Sequence, residues 1–135
     1  MNPITFLFLG FLFGLAFINI ARKRPRGGAS LLANGLVVAA LIYVPFALMG
    51  CAGTMWLIVE VIAVVLFGAM AWAGIQYSFG WLALGWAAHS LWDFGLHIVG
   101  DGARFTAAWY PLMCITFDLV VAAYILLFMK RQAHA

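Results

Sequence analysis

Five ionisable side chains and one thiol stand inside stretches that are otherwise hydrocarbon: Glu60, His89, Asp93, His97, Asp118 and Cys114. Histidine, carboxylate and thiolate are the ligand set of zinc and related transition metals. His89, Asp93 and His97 step by four, so a helix carries them on one face, drifting about 80° over a rise of about 12 Å. Tyr110, Cys114 and Asp118 repeat that step further along the chain. If the two helices are antiparallel and joined by a short turn, counting inward pairs His97 with Tyr110, Asp93 with Cys114, and His89 with Asp118. The same count puts Glu60 level with Asp93 and Cys114, in layers about 6 Å apart.

Such groups cost several kcal/mol (roughly) in a hydrocarbon interior unless they are paired, hydrated or neutralised, so they point to function. Three acids face only two histidines, and that excess calls for a proton or a bound cation. As a metal shell the sequence offers Asp93 and His97 with Glu60 or Cys114, leaving a coordination position open as catalytic zinc does. Asp118 and His89 then lie deeper. As catalytic groups the candidates are Asp93, His97, Glu60, His89 and Asp118. Haem is disfavoured, because both histidines share a helix and cannot clamp it from two sides. The blander alternative is polar glue between helices, which buried histidines often supply.

The elements that position these groups follow from composition. The chain is 67% hydrophobic and 8% charged, far from the balance of a soluble domain. Apolar runs over 3–21, 31–49, 55–72, 79–99 and 107–129 are each about long enough to span a bilayer as a helix. The expected fold is therefore all-α, an integral membrane protein of five transmembrane helices forming one domain over 1–135. Arg22, Lys23, Arg24 and Arg26 follow the first run, and Lys130 and Arg131 follow the fifth. Placing both on one side puts the N-terminus outside and the C-terminus in the cytoplasm. Basic residues gathered in that way argue for a membrane face and against nucleic-acid binding. Charge after the first apolar run, not before it, favours a retained helix over a cleaved leader. Trp56, Trp109 and Tyr110 fall near one boundary and Trp72, Tyr77 and Trp81 near the other, as interfacial belts do. Gly10 and Gly14 have the spacing that lets helices approach closely, within the chain in preference to a homodimer. Cys51 and Cys114 are too few for a disulfide framework.

Three segments carry a resemblance: Trp56-x-x-x-Glu60, His89-Ser-Leu-Trp92-Asp93-x-x-x-His97, and Trp109-Tyr110-Pro111-x-x-Cys114-x-x-x-Asp118. Together they resemble a bacterial domain-of-unknown-function family of small multi-helix membrane proteins. The resemblance spans the last three apolar runs, with Ser90 where that pattern usually has proline. It implies an inner-membrane, multi-pass protein with a site in those helices, and no assigned reaction. A fainter likeness links the His89–Asp93 segment to membrane metal hydrolases related to alkaline ceramidases, but their serine-bearing motif is missing. Three functions stay open at this point. One is a metal-dependent enzyme acting on a hydrophobic or lipid-like substrate; the others are a proton- or cation-coupled transporter and an accessory membrane subunit. The expected partners are the lipid bilayer and, for an enclosed transport path, a second copy of the chain.

Overall fold

A computed structural model describes residues 1–129 and is all-helical. Lys130 and Arg131, which entered the charge argument, lie outside the described residues. Helix α1 spans Pro3–Arg22. Asn2 caps it by accepting a hydrogen bond from the Ile4 amide at 3.0 Å, and Pro3 takes the first position, where a missing N–H costs nothing. The second apolar run splits into α2, Gly28–Leu41, and α3, Tyr43–Met49. Pro45 explains the break: its ring crowds the carbonyl of Leu41 four residues back and offers it no donor. After a turn through Gly53, whose φ of 93° suits glycine, α4 runs Thr54–Gln76. Ser78 caps α5, Phe79–Trp92, which continues as a wider π-helical turn over Asp93–Ile98. A 3₁₀ turn at Asp101–Arg104 leads to α6, Trp109–Tyr124, which also ends in a π-helical segment, Ile125–Met129.

Four stretches are long and apolar enough to cross a membrane: Pro3–Arg22, Gly28–Met49, Thr54–Gln76 and Trp109–Met129. The α5 rod is the less apolar fifth, diluted by His89, Ser90, Asp93 and His97. It is also the most enclosed, packed between α4 and α6 and touching α2. Helix α1 docks mainly on α6, and α2 on α4. Gly10 and Gly14 make the first of these docks possible. A β-carbon at Gly10 would come within 2.0 Å of the Met113 carbonyl oxygen, and one at Gly14 within 2.3 Å of Val120. The glycine pair is thus a packing face inside the chain, as its spacing suggested.

The larger apolar core includes Leu32, Leu36, Phe67, Leu82, Trp86 and Val121. Tyr43, Tyr110 and Cys114 form a smaller cluster. Outward faces carry large apolar side chains such as Phe8, Val65, Leu91 and Leu127, the reverse of a water-facing surface. The α3–α4 turn meets the α5–α6 connection, since Gly50 lies against Phe105. The arginine loop, Arg22–Arg26, groups with Phe79 and Tyr124 at a common hollow.

Candidate functional site

The polar groups lie where the two apolar clusters meet. His89 has Phe67 on one side, with ring centroids 5.0 Å apart, and Tyr43 on another at 6.0 Å. Its Nδ1 sits 2.7 Å from Oδ2 of Asp118 and 3.4 Å from Oδ2 of Asp93. His89, Asp93 and Asp118 each offer a ligand atom, all within 4.8 Å of one another. None of the three is exposed to any extent. The count from the sequence paired His89 with Asp118, and the structure places them in direct contact.

The wider turn at Asp93–Ile98 shapes the rest of the face. A π-helical turn holds more residues than an α-turn, so each rotates less about the axis. The drift expected from a regular helix is thereby partly cancelled, and His97 stays in line with His89 and Asp93. It does not join them in one ligand group. Its Nε2 stands 3.1 Å from Oε1 of Glu60, while its Nδ1 hydrogen-bonds Thr106 Oγ1 at 2.9 Å. The Glu60 contact is close but off the line of a directed hydrogen bond. Glu60 therefore belongs one layer away from where residue counting put it, beside His97 instead of Asp93.

Tyr43 separates the two groups, and sequence reasoning missed it. Its hydroxyl donates to Oδ1 of Asp93. Its ring stacks on His97, with centroids 3.7 Å apart and planes 11° from parallel. Tyr43 is wholly buried, and a buried tyrosine hydroxyl normally finds a partner. The available signal was a single phenol two residues before Pro45, inside an aliphatic run. Thr106 was also missed, because the turn before α6 folds back over His97. Cys114, a candidate ligand from the sequence, packs with Tyr43 and Tyr110.

An apolar cleft of about 410 Å³ adjoins this centre. It opens between α1, α2 and α6 and is lined by Phe13, Phe17, Val38, Met113 and Phe117, among others, with Trp86 and Asp118 also on its wall. Tyr110 ties α6 to α2 across it, donating to the Ala39 carbonyl at 2.9 Å. Asp118 is thus shared by the buried polar group and the cleft. Its Oδ2 faces His89, and its Oδ1 has no hydrogen-bond partner among the described residues.

The fold and site together define an all-helical protein, four of whose helices could cross a membrane, with a buried His–Asp–Asp group that could hold a metal ion. The chain belongs to a family of unknown function, DUF6010, whose model matches residues 4–132. No curated protein and no solved structure matches it.

Proposed function

We infer that this is an intramembrane metal-dependent enzyme acting on a hydrophobic, lipid-like substrate, with His89, Asp93 and Asp118 as the metal ligands. The observation that carries the reading is the convergence of these three side chains, fully buried, beside an apolar cleft that one of them also lines. One imidazole and two carboxylates suit zinc and similar divalent ions, and the two carboxylate charges would balance the ion's own. Three protein ligands leave a position free for water or substrate. A cation there would take the place of the proton that His89 Nδ1 shares with Asp118. Tyr43 orients Asp93 from behind, as groups that hydrogen-bond a ligating carboxylate do. Glu60 and His97, on the far side of the Tyr43 ring, form a separate acid–base pair.

The placement in the membrane belongs to the same proposal. Five spans, with the N-terminus outside and the arginine loop in the cytoplasm, agree with the charge pattern. A second reading, proton- or cation-coupled transport, draws support from the unbroken chain Asp118–His89–Asp93–Tyr43. Its members are all buried, however, so transport needs the bundle to open at both ends of that chain.

Metal analysis of purified protein tests the enzyme reading. Wild type should retain about one divalent ion per chain. Asp93→Asn and Asp118→Asn should lose it while keeping a cooperative thermal transition. Wild type that stays metal-free when produced in medium supplemented with zinc, manganese or iron would overturn the reading.

A further inference from the structure

We propose that the cleft between α1, α2 and α6 binds a single hydrocarbon chain carrying a hydroxyl group, entering sideways from the lipid phase and presenting its hydroxyl to Asp118. This names a substrate class for the centre described above and rests on that reading for its chemical purpose.

The shape of the cleft argues for a chain. From Trp109 to Asp118 along α6 is nine residues, or about 13 Å of helix rise. Tyr110 bonds the Ala39 carbonyl across the gap and so ties its two walls together at that point. Its volume of about 410 Å³ falls in the range of pockets that hold small ligands, roughly 300–1,000 Å³. The gradient of exposure gives the direction of entry. Phe13 and Val38 at the rim are 51% and 52% exposed, whereas Trp86 and Asp118 at the floor are at 0%. Both rim residues are large and apolar on the outward faces of α1 and α2, so the mouth opens toward hydrocarbon.

Asp118 supplies the requirement for a polar group. Oδ1 of Asp118 is fully buried and has no hydrogen-bond partner among the described residues, and the residue stands on the wall of a hollow otherwise lined almost entirely by carbon. An unmet acceptor in such surroundings is costly, and a hydrogen-bond donor brought by a ligand removes that cost. A hydroxyl provides the donor without bringing a second charge out of water. An ammonium group would have to be stripped of its hydration first.

The test uses the full-length protein in phosphatidylcholine nanodiscs with a diazirine-bearing long-chain alcohol, compared with its methyl ether, which lacks the donor. The alcohol should label peptides containing Phe13, Met113 or Phe117 well above the ether. Val38→Trp, which fills the mouth from a lipid-facing position, should reduce that labelling to the level on the outer face of α4. Val65→Trp, on that outer face, should leave it unchanged. Equal labelling by alcohol and ether in wild type would overturn the proposal. So would wild-type labelling in a Val38→Trp protein whose thermal transition shows it is folded. If that variant instead fails to fold, the alcohol-to-ether comparison in wild type decides. Metal content measured on the same samples separates the two readings. Donor-dependent labelling of a metal-free wild type would retain the cleft proposal and remove the metal centre, and Val38→Trp should keep its metal.

Discussion

Tyr43 does two jobs at the site. Its hydroxyl supplies a donor to Asp93, and its ring covers His97. Tyr43→Phe keeps the ring and removes the donor, leaving a buried carboxylate oxygen without its partner. The expected cost is about 1–3 kcal/mol, seen as a lower midpoint in thermal unfolding, and the stacking on His97 should persist. An unchanged midpoint would mean that the hydrogen bond contributes nothing. At this scale the sequence was readable where helical spacing alone decides the outcome. His89 and Asp118 could be paired by counting, because both sit on long helices joined by a short connection. Glu60 could not be placed so well, because the space beside Asp93 is filled by Tyr43. That phenol arrives through a helix break, and no count along α4 includes it.

Glycines show how differently the helices respond to a single methyl group. Gly10 lies against backbone, with the Met113 carbonyl where a β-carbon would go, and Thr116 also ties α6 to the Leu7 carbonyl at 2.6 Å. Gly10→Ala should force α1 off α6 and cost about 1–3 kcal/mol, as overpacking does. Gly95, in the wide turn of α5, has nothing within 4 Å of its would-be β-carbon. Gly95→Ala should be neutral or slightly stabilising, so the two midpoints measured side by side test the helix contacts directly. Apolar length and turn residues made all five helical rods legible in the sequence. The break at Ile42 had its signal in Pro45. The π-helical turn at Asp93–Ile98 was not legible, because the four-residue step of His89, Asp93 and His97 reads equally well as a regular helix.

At the scale of the whole molecule, orientation rests on charge. The basic loop Arg22–Arg26 should be cytoplasmic, which puts the Asp101–Arg104 turn outside. A reporter fused to the C-terminus should be active in its cytoplasmic form and silent in its periplasmic form; the opposite pattern would invert the topology. The fully enclosed centre has a further consequence, for time instead of energy. His89, Asp93 and Asp118 expose no surface, so nothing held among them can be swapped while the helices stay packed. Uptake and release would need a local opening of the wall that Asp118 shares with the cleft, or the chain to be caught before its last helix docks. Exchange of an occupant would then report how often the folded bundle opens, and a chelator added to the finished protein would act slowly however tightly it binds.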